Sequence, residues 1–274
     1  MNDLDRVHFQ NSPLVEVMCD VQFDEITSLQ SAHIGLFWQK FKKTFPDTEQ
    51  KPPLSSPTFK ARKVNQVEIS FTPSLPRIWF FNKNNQSKLI QIQSDRFITN
   101  WRKFEEPGEY PHFNNVFSFF NEYYSKWEHF CKSNLSEELK PLSYELKYVN
   151  HIPRGQGWMD FSDLSKIFPF FQFPKKNTGL KPQFLSHQDF FSVQDFSGII
   201  QTSIKTAKLI STKEDLIVFE IGIRVDLTEV DDKFDLSDSF KESHNVLLKA
   251  FLDLTSTYAQ SKIWVRSDTK QENN

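Results

Sequence analysis

Glycine is scarce in this chain. Seven glycines in 274 residues argue against several glycine-rich phosphate loops and against a small barrel dense in tight turns. Cysteine is rarer. Cys19 and Cys131 fall in different expected elements without a Cys-x-x-Cys spacing, and so read as reduced, partly buried thiols. No charge of one sign dominates. With 33 basic against 35 acidic residues and a formal net charge of -2, nothing pulls the molecule as a whole toward nucleic acid or an anionic membrane, although a local basic face stays open. No apolar run approaches the length of a membrane span, and the acidic, polar stretch Met1 to Gln10 is no signal peptide. A soluble, cytoplasmic protein is the expectation.

Phenylalanine is what the chain has. The apolar share is a modest 38%, yet 29 residues are Phe. A few large rings bury as much area as many small aliphatics, so a globular core is expected in a chain long enough to build one.

The chain opens its first strand at Pro13-Leu14. Val15, Val17, Cys19, Val21 and Phe23 alternate with Glu16, Asp20 and Gln22, the pattern of a half-buried strand. Helical spacing follows through Leu29, Ala32, His33, Leu36, Phe37, Phe41 and Phe45, stopped by Pro46. Gln50 to Pro57 reads as a loop. Strands are expected at Val64 to Thr72, at Arg77 to Asn82 (apolar on both faces), and, after an Asn84-Asn85 turn, at Leu89 to Trp101. Tyr110-Pro111 starts a long helix with a stripe of Phe113, Val116, Phe117, Phe120, Tyr124, Trp127 and Cys131. In the second half a strand starts at Pro141-Leu142 and a short helix spans Phe161 to Phe168. Three strands cover Phe184 to Val193, Gly198 to Ile210 and Leu216 to Leu227. A final helix runs from about Asp235 to Lys262 on Phe240, His244, Leu247, Phe251, Leu254 and Tyr258, before a polar, frayed tail.

The order of elements repeats, and one offset separates both Pro13-Leu14 from Pro141-Leu142 and Arg96 from Arg224. An internal duplication is expected, with an N-terminal half at 1–134, a C-terminal half at 135–264 and a tail at 265–274. The fold class is α+β: two related strand–helix–three-strand–long-helix halves forming a largely antiparallel, curved sheet with helices packed on one face.

Motifs for chemistry are wanting. The seven histidines include no His-Glu-x-x-His or His-x-His spacing, no Gly-x-Ser-x-Gly elbow is present, and Arg154-Gly155-Gln156-Gly157 is a turn and not a phosphate loop. No catalytic residue, metal or cofactor is assigned. His187 and Asp189 share a strand face, and His244 lies on the stripe of the last helix. The most informative cluster runs from Gln91 to Arg102. On one regular strand, Arg96, Asn100 and Arg102 share a face with Ile90, Ile92 and Ile98, with Gln91, Gln93, Thr99 and Trp101 opposite. Glu16 is the candidate counter-charge. The cluster reads either as a polar site for an anionic ligand, with Glu16, Arg96, Asn100, Arg102 and His244 as candidates, or as an ion-pair network that fixes register. Six tryptophans exceed what one core needs. Arg154 and Trp158, with Phe170, Phe171 and Phe173, form a candidate partner-binding loop.

The segments Asn11-Ser12-Pro13-Leu14-Val15-Glu16-Val17, Gln91-Ile92-Gln93-Ser94-Asp95-Arg96-Phe97, Asn100-Trp101-Arg102 and Tyr110-Pro111, with His244 and the Phe251 region, resemble a bacterial family known as "sporadically distributed" and of unassigned function. The resemblance carries over no catalytic residue. Scattered distribution of that kind implies horizontal transfer, as of toxin–antitoxin, immunity or anti-phage genes. Three functions stay open: a non-catalytic partner, such as an antitoxin or defence subunit, that binds an effector encoded by an adjacent gene; a sensor of a small anion or nucleotide; and an enzyme with an unrecognised site built on His244 or Glu16.

Overall fold

A computed structural model describes residues 7–55, 75–104, 109–172, 180, 182–228 and 235–268. The strand expected at Val64 to Thr72, and Phe173, lie outside these residues. The protein combines helices with a largely antiparallel sheet of nine strands, in the order β3-β4-β5-β6-β2-β7-β10-β9-β8. The strands are β2 (Leu14–Phe23), β3 (Asp47–Lys51), β4 (Arg77–Phe81), β5 (Lys88–Gln93), β6 (Arg96–Arg102), β7 (Pro141–Pro153), β8 (Ser186–Val193), β9 (Phe196–Lys208) and β10 (Asp215–Asp226). Two short strands, β1 (Val7–Phe9) and β11 (Arg266–Asp268), pair with each other, so the tail expected to fray from residue 265 begins with a strand. No helix among the described residues is long and apolar enough to cross a membrane.

The chain divides into two compact units. One comprises Val17–Glu145 with Val225–Phe234, the other Met1–Glu16, Leu146–Arg224 and Asp235–Asn274.

In the first unit, α1 (Ser31–Gln39) and α2 (His112–Leu135) show where the phenylalanines go. The expected stripe of α2 is buried, and Phe119, Tyr123 and Phe130 beside it are buried as well. Phe120 and Tyr124 meet Phe97 of β6 at ring distances of 6.1 and 5.6 Å. Phe130, Tyr123 and Phe119 meet Phe37, Phe41 and Phe45 at 5.3, 5.4 and 6.0 Å. One side of α2 therefore packs on the sheet and the next packs on α1 and the turn behind it. Most of these pairs are edge-on or tilted, as the aromatic quadrupole favours. α1 ends at Gln39, before Phe41 and Phe45, and a turn carries those rings into the core. The Gln50 to Pro57 loop is shorter than expected, because Asp47–Lys51 pairs with β4 as β3.

In the second unit, α3 (Leu236–Leu254) starts on Asp235, whose carboxylate accepts from the backbone of Ser237 and Asp238. The helix stops eight residues before the expected Lys262. Thr255 turns extended, and Gln260 donates to the carbonyl groups of Leu252 and Thr255, supplying the partners that a further helical turn would have supplied. A π-helical turn follows at Ala259–Ile263, and Tyr258, expected on the buried stripe, is 51% exposed. Trp264 and Phe251 pack with Phe9 of β1.

Candidate functional site

β5 and β6 are not one strand. Ser94-Asp95 makes a tight turn, and the two strands pair as Gln93↔Arg96, Gln91↔Ile98 and Leu89↔Asn100. Residues directly opposed in an antiparallel pair share a face. The turn therefore reverses the expected partition. Gln91 and Gln93 lie with Arg96, Ile98, Asn100 and Arg102, while Ile90 and Ile92 lie on the other side with Phe97, which packs on α2. The pairing Trp79↔Gln91 adds Trp79 to the polar face, and alternation along β4 adds Arg77. Lys51, opposite Arg77 in β3, completes it.

Arg96 is 4% exposed, and its ion pair is with Asp20 of β2 at 3.2 Å. The predicted counter-charge, Glu16, belongs to the other compact unit; Asp20 lies four residues further along the same polar side of β2. A second bond from Arg96 reaches the carbonyl of Ser55 at 3.3 Å. Beside it, Gln93 exchanges two hydrogen bonds with the backbone of Leu54 and donates to Asp95. Gln91 donates to Asn100 Oδ1 at 2.5 Å. These bonds fasten the residue 54–55 segment and three strands to each other.

The second half of the polar face is different. Trp79 is half-buried and ringed by cations: Lys51 Nζ lies 4.6 Å from its ring centroid, Arg77 Cζ 5.7 Å and Arg102 Cζ 5.9 Å. Lys51 pairs with Glu49 at 2.5 Å. Arg77 and Arg102 have no ion pair with any described residue. Their Nε atoms, Trp79 Nε1 and Gln91 Oε1 are buried without a hydrogen-bond partner. Burial, and then the neighbouring Arg96 charge, lower the Arg77 guanidinium pKa below the ordinary arginine value, against the pull of Asp20. Like charges gathered with unmet donors are costly in isolation, and an anion relieves both costs.

The remaining candidates are placed elsewhere. His244 sits on α3 with its Nδ1 2.5 Å from Tyr148 OH, in the unit that also holds Glu16. Trp158 is buried, its indole donating to the Ile152 carbonyl at 3.0 Å. Phe171 is buried, and Arg154 is tied to the Met159 carbonyl and to Asp215. Among the described residues of the proposed partner loop, Phe170 alone is an exposed ring, at 44%. Nor are the tryptophans surplus to the core: Trp101, Trp127, Trp158 and Trp264 are all buried. His187 and Asp189 do meet, at 2.5 Å, with Phe170 and Phe171 against the imidazole. Burial pushes the Cys19 thiol far up and that of Cys131 to about 12, which suppresses thiolate chemistry at both.

Sequence reasoning missed Asp20 as the partner of Arg96, and it missed Arg77, Trp79 and Lys51. The signal was present in the spacing: Arg77 and Trp79 are two apart on a strand, and Ser94-Asp95 is a turn dipeptide. Comparison with protein-family profiles, with curated proteins and with solved structures gives no match.

Proposed function

We propose that the chain is a ligand-binding protein that takes a small anion on the polar face of β4, β5 and β6. One observation carries the reading: Arg77 and Arg102 flank Trp79, each with a buried Nε that has no hydrogen-bond partner, and neither has a carboxylate partner among the described residues. Guanidinium groups bind anions through paired, charge-assisted donors, and a ligand that supplies acceptors there removes an existing penalty instead of creating a new one. Arg96, already matched with Asp20, lies on the same face. The test is thermal unfolding with a panel of phosphate, sulfate, carboxylate and nucleotide anions. Ligand held only by the folded state raises the melting temperature by mass action. The expected outcome is a rise with at least one anion that Arg102→Ala abolishes. No rise with any anion contradicts the reading.

A protein-partner role rests on a different observation. Phe184, Phe190 and Phe191 are 76%, 64% and 37% exposed, and the last two lie on β8, an edge strand of the sheet. Exposed rings on an edge strand favour association. This is the feature that fits the family resemblance and its implied effector encoded nearby. Co-expression with the product of an adjacent gene should give a complex that Phe190→Asp breaks, and a protein that stays free of its neighbours contradicts that role.

A further inference from the structure

We propose that the anion held beside Trp79 is a dianion, a phosphate monoester bearing hydrogen-bond donors close to its phosphate. This rests on the anion-binding reading above and narrows it. The carboxylates on the face are already committed, Asp20 to Arg96 and Glu49 to Lys51. Two guanidiniums remain without an ion pair to any described residue, from β4 and β6, with β5 between them, and both lie within 6 Å of one indole centroid. A carboxylate ligand matches one of them and leaves the other uncompensated. A phosphate monoester carries a charge of roughly -1.5 to -2 and three strong acceptor oxygens, which balances two guanidiniums and serves both forks when one oxygen accepts from each.

The second part follows from Gln91. Its Nε2 is committed to Asn100, and its buried Oε1 has no partner. An acceptor therefore lies across the strand pair from Trp79, among donors. A bare oxyanion has nothing to give it. A hydroxyl or amino group a few bonds from the phosphate does, and nucleotides and sugar phosphates share that chemistry.

The experiment is titration calorimetry on the full chain with phenyl phosphate, its monoanionic methyl ester and benzoate. Phenyl phosphate is expected to bind at least about tenfold more tightly than either monoanion. Arg77→Gln and Arg102→Gln are each expected to shrink that ratio below about threefold. Arg102→Lys keeps the charge without the fork, and serves if the glutamine variants do not fold. Adenosine monophosphate and glucose 6-phosphate then report the source, since the one that binds more tightly than phenyl phosphate names it, and Gln91→Met should remove its advantage. If neither exceeds phenyl phosphate, the donor requirement is overturned. Equal binding of phenyl phosphate and its methyl ester overturns the dianion proposal and leaves the anion site standing. No binding of any of the three to folded wild-type protein overturns both.

Discussion

At the residue scale, the polar face of β6 performs two jobs with the same side-chain type. Arg96 is almost wholly buried and answered by Asp20, also buried, at 3.2 Å. Breaking such a pair from one side leaves an uncompensated charge, which typically costs about 3–5 kcal/mol, whereas replacing both partners with apolar groups is often close to neutral. Asp20→Asn is therefore expected to lower the unfolding free energy by about that amount in urea titrations, and Asp20→Leu with Arg96→Met to recover most of it. A single variant as stable as wild type would show that the pair contributes nothing to the fold. Arg102, by contrast, has no carboxylate to lose among the described residues, so Arg102→Ala should change ligand binding while shifting stability little.

At the scale of elements, legibility depended on whether a pattern was local. The α2 stripe needed only a 3.6-residue period across Phe113 to Cys131, and it is buried as read. Its second aromatic side, Phe119, Tyr123 and Phe130, could not be read, because it is buried only where Phe37, Phe41 and Phe45 arrive from another element. Leu89 to Trp101 went wrong for a sharper reason. Side-chain direction along a strand has period two, so a two-residue turn at Ser94-Asp95 exchanges the faces of everything before it relative to everything after it. The residues of the polar site were largely in view, but their grouping was not. The end of α3 at Leu254 likewise depends on Gln260 folding back onto Leu252 and Thr255, a contact that no helical periodicity announces.

At the scale of the whole molecule, the two ends of the described chain meet. β1 pairs with β11, Gln10 and Asn11 donate to the carbonyl groups of Val265 and Trp264 at 3.1 and 3.0 Å, and Phe9 contacts Phe251 and Trp264. Deleting residues 1–9 should release this closure. The expected outcome is loss of amide-exchange protection at residues 266–268 together with a red-shifted emission from Trp264; unchanged protection would show that β11 is held by something other than β1. The strand order bears on the duplication. Outward from β2 the order is β6, β5, β4, β3, and outward from β7 it is β10, β9, β8, so the two runs differ by one strand and the duplication stays an expectation. The residue matches fare worse, since Arg96 opens β6 while Arg224 lies near the end of β10.

What the amino-acid sequence determined by itself was whatever rests on neighbours along the chain: alternation in β2, the stripe of α2, a helix start near Asp235, and a core supplied by phenylalanine. These follow from fixed backbone periods and from the area that large rings remove from water. What only the tertiary structure decided was which polar groups answer one another. Asp20 and not Glu16 faces Arg96, and Arg77 and Arg102 converge on Trp79 with no ion pair to a described residue. Electrostatic pairing acts over a few ångströms in space between residues distant in sequence, so strand order, register and one tight turn had to be known before the charges could be matched.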